Sequence, residues 1–163
     1  MPAEIERRFL LRMTDWDVFW DHPHIINYIK QFYLEWGDTS EKRIRIINGS
    51  QYMLATKVGL GIKREENEAE IPPDEGRALV AQAIVDQMPF VAKNRFITHD
   101  GWELDMYFDP PLPKNIFLAE KELKSETELV TLKIPGFTFL REVTGLKEFT
   151  NRNIAIARAW PKI

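Results

Sequence analysis

The chain has no cysteine, which removes disulfide frameworks, thiolate nucleophiles and thiolate metal ligands and fits a reducing compartment. It also lacks any apolar run near the roughly 20 residues that would span a bilayer as a helix. The opening Met1-Pro2-Ala3-Glu4 has neither a basic region nor an apolar one, so no secretory signal is read there. The expectation is a soluble, cytoplasmic protein with no membrane partner. Positive excess is missing as well. With Lys+Arg at 22 and Asp+Glu at 25, the formal net charge is −3, the opposite of the basic balance of a generic nucleic-acid binder. Nucleic acid is therefore not an expected partner. An anionic small molecule remains compatible, because basic residues can be gathered inside a fold. Repeats of 20–50 residues and low-complexity linkers are also lacking. The 163 residues read as one domain, 1–163, able to bury about two-thirds of its unfolded surface.

What the chain does have is charge at every second residue. Six stretches carry it: Glu4-Ile5-Glu6-Arg7-Arg8, Arg43-Ile44-Arg45, Glu66-Asn67-Glu68, Lys93-Asn94-Arg95, Glu103-Leu104-Asp105 and Glu120-Lys121-Glu122. A strand turns successive side chains to opposite faces, so each stretch places its charges on one face. Such a face is ordinarily the wet side of an antiparallel sheet. Here the charges come as same-sign pairs at i and i+2, which repel within one face. Same-sign pairs are tolerable where the opposite sign lies across a lumen or a ligand supplies it. Carboxylates hold hard cations and basic groups hold phosphate oxygens, so a face with both can bind a metal–polyphosphate complex.

The remaining signals frame these stretches. Strands are expected at Glu4–Leu11, Asn27–Leu34, Glu41–Ile47, Gln51–Lys57, Lys63–Ile71, Val91–Thr98, Gly101–Phe108 and Phe117–Leu123, with a further extended stretch near Glu142-Val143. Thr14–Pro23 reads as a loop with a short helical turn, its aromatics packed outside the sheet. Asn48-Gly49 is a hairpin signal. A three-residue loop, Asn48 to Ser50, sets Arg45 opposite Met53 and turns Lys57 to the arginine face, and this register is preferred over a two-residue turn. Gly59 and Gly61 break the strand that follows. A helix is expected from Asp74 to about Met88, burying Ala78, Leu79, Ile84 and Met88. Ser125-Glu126-Thr127-Glu128 has capping-box spacing and predicts a short helix. The segment from Lys147 to Trp160 reads as helical. The class is α+β, and eight antiparallel strands can close into a barrel holding one small ligand.

The opening Glu4-x-Glu6-x-Arg8 resembles the E-x-E-x-K signature of the CYTH superfamily, the triphosphate tunnel metalloenzymes. Arg43-x-Arg45 falls where that family has R-x-R, and Lys57 where a lysine ends the next strand. Glu66-x-Glu68, Lys93-x-Arg95, Glu103-Leu104-Asp105 and Glu120-x-Glu122 resemble its later motifs in order, and Thr150-Asn151-Arg152-Asn153 the start of its C-terminal helix. The resemblance covers residues 3 to 158, and the compact size looks most like the small bacterial inorganic triphosphatases. It implies an eight-stranded antiparallel closed barrel, a tunnel with a charged interior, helices packed outside and a C-terminal helix plugging one end. It implies Mg²⁺ or Mn²⁺ held among Glu4, Glu6, Glu103, Asp105, Glu120 and Glu122. A small-molecule triphosphate would be held by Arg8, Arg43, Arg45, Lys57, Lys93 and Arg95. Glu66 or Glu68 would orient the attacking water, and Lys93 or Arg95 would stabilise charge on the group in transfer.

Arg8 departs from the family lysine, replacing a compact point charge by a planar fork. Glu70 adds a carboxylate without an assigned role. His22, His24 and His99 share no metal-like spacing, so loop or turn roles are preferred over ligation. The tryptophans read as shell packing rather than a stacking platform. Two other functions stay open: a nucleotide enzyme of the same fold, such as an adenylate cyclase or a nucleoside or thiamine triphosphatase, and a non-catalytic polyphosphate binder. The apolar outer face leaves room for a homodimer.

Overall fold

The computed structural model describes residues 3–59 and 62–162; Gly61, expected to help break its strand, lies outside them. In chain order the elements are β1 (Ala3–Met13), α1 (Trp16–Trp20), β2 (His24–Trp36), β3 (Ser40–Ile47), β4 (Gln51–Val58), β5 (Lys63–Ile71), α2 (Pro73–Val85), β6 (Phe90–Thr98), β7 (Trp102–Asp109), β8 (Ile116–Glu122) and β9 (Phe137–Glu142), followed by a 3₁₀ turn (Lys147–Phe149) and α3 (Asn151–Ala157). The strands run β5-β4-β3-β2-β6-β7-β8-β1, and a β5–β1 pairing closes this antiparallel ring of eight. β9 is added on β1, outside the ring. β1 therefore uses both edges. One edge pairs with β8 from Glu6 to Arg12. Among the described residues the other meets β5 through Ala3, Glu4 and Ile5, with the Glu6 N–H donating to the Ile62 carbonyl at 2.9 Å, and then β9 through Phe9–Met13.

Alternation along the strands separates three apolar regions. Outside, Phe9, Leu11, Phe96, Trp102, Leu104 and Phe117 pack under Phe19 of α1, Ile134 and β9. Also outside, Phe32, Ile44 and Tyr52 pack under Ala83 of α2. The third region is inside the ring, where Leu10, Val91, Tyr107 and Leu118 continue the inward faces of β1, β6, β7 and β8. It is capped by Phe149, Ile154 and Ala155, so the C-terminal segment plugs one end of the barrel. No helix among the described residues is long and apolar enough to cross a membrane.

The hairpin has the three-residue loop. Arg45 pairs with Met53, Asn48 and Gly49 take positive φ of 52° and 76°, and the Ser50 N–H donates to the Ile47 carbonyl at 3.2 Å. Three expectations are corrected. The inward stripe of α2 is Gly76, Leu79, Val80 and Ala83, with Gly76 and Ala83 buried and Leu79 and Val80 partly buried; Leu79 and Met88 pack against the core as expected, but Ala78 and Ile84 are exposed. The stripe is rotated because Gly76 lies against Tyr52, where a Cβ would overlap the ring. Ser125–Glu128 forms a turn, not a helix: the Glu128 carboxylate accepts from the Lys124 N–H at 3.1 Å. The chain then continues to bury Ile134 against the barrel. The C-terminal helix is also interrupted, because Thr150 has extended ψ of 149° and its hydroxyl caps α3 by accepting from the Asn153 N–H at 3.2 Å.

Candidate functional site

The inward faces of the strands bring their charges around a cavity of about 310 Å³, walled by Glu4, Arg8, Glu41, Arg43, Arg45, Lys57, Arg64, Glu66, Glu68, Arg95, Glu103, Glu120 and Glu122. Cross-strand register explains the gathering. Arg8 lies opposite Glu120, Glu6 opposite Glu122, Glu103 opposite Glu120, Arg95 opposite Asp105 and Lys57 opposite Glu66. At the plugged end Thr150 and Asn151 complete the wall. Along β2, Ile29 and Asn27 lie progressively farther from it, joined by Ile47 and Ile97.

Most charges are already paired. Lys57 Nζ lies 2.9 Å from Glu4 and 4.0 Å from Glu66, and Arg43 lies 3.1 Å from Glu41 and 3.4 Å from Glu66. Arg8 lies 3.4 Å from Glu120. Arg95 donates to both oxygens of Asp105 at 2.8 and 2.9 Å and also pairs with Glu103. Glu68 and Glu122 have no ion-pair partner among the described residues.

Arg45 is the exception among the cations. Its Nε donates to Gln31 at 2.9 Å, and no carboxylate pairs with it among the described residues. Burial, with Arg43 and Arg95 nearby, lowers its guanidinium to about 10. The fold thus holds against the cavity a half-buried cation with no carboxylate in contact among the described residues, the electrostatic condition for receiving an anion.

The carboxylates differ in the same physical terms. Burial opposes ionisation of Glu120, but Arg8, Arg95 and Lys93 outweigh it and hold the group well below the usual range. Burial is likewise outweighed at Asp105, by Arg95 and Lys93. Glu122 is raised by burial and by Glu4, Glu103 and Glu66. Glu6 is pushed up to about 7, first by burial and then by Glu120, against the lowering effect of Lys57 and Arg64.

Three of the expected site residues, Glu6, Asp105 and Lys93, lie behind the cavity wall rather than on it. Lys93 is fully buried, with Nζ donating to Asp105 at 2.7 Å and to Asn151 Oδ1 at 3.0 Å. Burial, then Arg95 and Arg45, lower it to about 7 against the pull of Asp105. Glu70 instead accepts from Gln51 at 3.0 Å at an exposed position. Sequence reasoning missed Arg64 and Glu41, although each extends a recognised stretch by one period-two step, Arg64-x-Glu66-x-Glu68 and Glu41-x-Arg43-x-Arg45. Arg64 pairs with Glu4 and Glu6, and Glu41 with Arg43 and Arg152.

The acidic donors present are all carboxylate oxygens, the chemistry a hard divalent cation prefers. A cation among Glu4, Glu103, Glu120 and Glu122 would neutralise the mutual repulsion that raises Glu122. The residues therefore fit such an ion.

No protein-family model and no curated protein matches the chain. Among solved structures it is similar to the crystal structure of the inorganic triphosphatase NE1496, at 26% identity over 96% of each chain with a TM-score of 0.57. A structure described as the hypothetical protein NE1496 matches at 25% identity, covering 94% of this chain and 97% of that one, with a TM-score of 0.56. The PH1012 protein from Pyrococcus horikoshii OT3 shares 18% identity over 75% of this chain and 80% of its own, with a TM-score of 0.53, a likeness of fold alone. The closed eight-stranded antiparallel barrel fits the CYTH tunnel fold.

Proposed function

We propose that this chain is a cytoplasmic, divalent-metal-dependent hydrolase of inorganic triphosphate, releasing phosphate and pyrophosphate. The observation that carries the reading is Arg45, a half-buried cation without a carboxylate partner among the described residues, facing a cavity of about 310 Å³. The similarity to a structure named as an inorganic triphosphatase supports it. The substrate is a free small molecule rather than a nucleic acid.

Arg45 binds the phosphate chain, and Arg8, Arg43, Lys57 and Arg95 exchange part of their pairing with carboxylates for charge-assisted bonds to phosphate oxygens. Glu4, Glu103, Glu120 and Glu122 hold Mg²⁺ or Mn²⁺, with Glu6 and Asp105 supporting them from behind the wall. When bound, the ion supplies charge neutralisation along the phosphate chain. Glu68 orients the attacking water, because Glu66 is engaged by Arg43 and Lys57. The water oxygen bonds to the terminal phosphorus as the bridging P–O bond breaks, pyrophosphate leaves, and the water's proton passes to solvent through the carboxylates. Arg95 stabilises the charge on the transferring group, with Lys93 behind it tuning the field.

The isoleucine patch of Ile29, Ile47 and Ile97 beside Asn27 favours a second reading, a nucleotide enzyme with the base against that patch. The test is phosphate release from tripolyphosphate, ATP and thiamine triphosphate, each with Mg²⁺, Mn²⁺ or EDTA, for wild type and Glu4→Gln. Metal-dependent release from tripolyphosphate, lost in Glu4→Gln, is expected. Preference for ATP moves the substrate to a nucleotide. Tight tripolyphosphate binding without turnover sinks the enzyme reading and leaves a binder.

A further inference from the structure

Two turns far apart in sequence meet on the outside of the barrel. The turn before β2 carries His22 and Pro23, and the turn between β6 and β7 carries His99 and Asp100. They are docked by the His99 N–H, which donates to the Pro23 carbonyl at 3.1 Å. One ligand atom from each of His22, His99 and Asp100 falls within 4.8 Å of the other two. His22 Nε2 is 3.3 Å from Asp100 Oδ1, long for a hydrogen bond between such groups. Bonds of about 2.0–2.2 Å at a tetrahedral angle separate two ligand atoms by about 3.3–3.5 Å. The pair is therefore already set at the spacing of two tetrahedral ligands. The His22 and His99 rings are 4.8 Å apart between centroids, so rotation of the exposed His99 side chain closes the third contact.

We propose that His22, His99 and Asp100 form a second metal site, for a zinc-type divalent transition ion, separate from the tunnel. Two imidazoles and a carboxylate match zinc, whereas magnesium and calcium take all-oxygen sets. The exposed side of the cluster leaves the fourth position to water. None of the three residues lines the tunnel cavity, and the site stands whether or not the chain hydrolyses triphosphate. A bound ion staples the entry of β2 to the β6–β7 turn. His24 is not a ligand: its Nδ1 is 2.6 Å from the His22 carbonyl oxygen and its ring stacks on Phe19. Lys121, whose Nζ donates to the Asp100 carbonyl, opposes the ion by its charge.

The test is calorimetric titration of the full chain with Zn²⁺ in phosphate-free buffer, with the histidine ring protons followed by NMR. Wild type, His99→Ala, Lys121→Met and the tunnel variant Glu4→Gln/Glu122→Gln are compared. The expected result is stoichiometric binding that perturbs the His22 and His99 rings and spares His24. Binding should survive in the tunnel variant, weaken by at least about tenfold in His99→Ala and tighten in Lys121→Met. Binding lost in the tunnel variant but kept in His99→Ala would place the ion in the tunnel and overturn the proposal. Absence of binding by wild type, or a shift at His24 alone, would overturn it equally.

Discussion

Replacing Arg45 by methionine should make the protein more stable and a worse ligand binder at once. The guanidinium is lowered well below its ordinary value, to about 10, by burial and by Arg43 and Arg95, and at working pH it stays charged. A depression of that size corresponds to a penalty of about 3 kcal/mol on the charged form. Methionine keeps much of the stem volume and removes the charge. It also leaves Gln31 Oε1 without its Arg45 donor, which returns about 1 kcal/mol. The net gain is about 2 kcal/mol, a rise in Tm of about 4–8 °C for a chain of this size. The gain should be flat between about pH 6 and 9, because the folded guanidinium titrates only above that window. Losing a charge-assisted contact to phosphate costs about 1.5–3 kcal/mol, so tripolyphosphate affinity should fall at least about tenfold. Scanning calorimetry without ligand and titration calorimetry with tripolyphosphate measure the two effects on one sample. A variant that melts lower than wild type and binds tripolyphosphate equally well would refute the view that Arg45 is held without a carboxylate partner for an anion.

Other outcomes follow from the same geometry. Glu6, at about 7 in the fold against 4.5 outside it, holds its proton more tightly when folded. Its contribution is present below about pH 4.5 and fades as pH rises through 7, by up to about 3 kcal/mol. Glu6→Gln should therefore flatten the fall in Tm between about pH 5 and pH 7.5 in EDTA, and an unchanged slope would refute the assignment. Asn151→Leu removes the acceptor shared by Lys93 and Tyr107 and should cost about 2–4 kcal/mol in denaturant unfolding; a neutral effect would mean the pair finds another partner. Gly76→Ala drives a Cβ into the Tyr52 ring and should lower stability by about 1–3 kcal/mol, despite alanine's better helix propensity.

Much of this site can be seen in the bare sequence because a barrel strand obeys a period of two. Once Glu4-x-Glu6-x-Arg8 and Arg43-x-Arg45 are assigned one face, the Asn48–Ser50 loop length decides whether Lys57 joins them, and it does. Arg64 and Glu41 were readable by the same rule. Depth was not readable. Lys93 and Arg95 share a face, yet Arg95 reaches the cavity while Lys93 is sealed behind it by Asn151, from a helix 58 residues away in sequence. The α2 stripe was misread because residue hydrophobicity favours Ile84, whereas the close approach to Tyr52 selects a glycine. His22, His99 and Asp100 carry no spacing signal, because only the docking of two turns brings them together.

The ring of eight strands has a thin suture. Among the described residues β1 and β5 are joined through three residue pairs, extended by the Glu6 N–H donating to the Ile62 carbonyl at 2.9 Å, whereas β2 and β6 share nine pairs. Glu4 lies within the suture, and its contacts with Lys57 and Arg64 are electrostatic fastenings across it. Side-chain charge thus adds to a short backbone ladder in fastening the wall that encloses the cavity there. Amide exchange should be fastest at residues 3–5 and 63–65, and added salt should quicken it there before any other strand pair loosens.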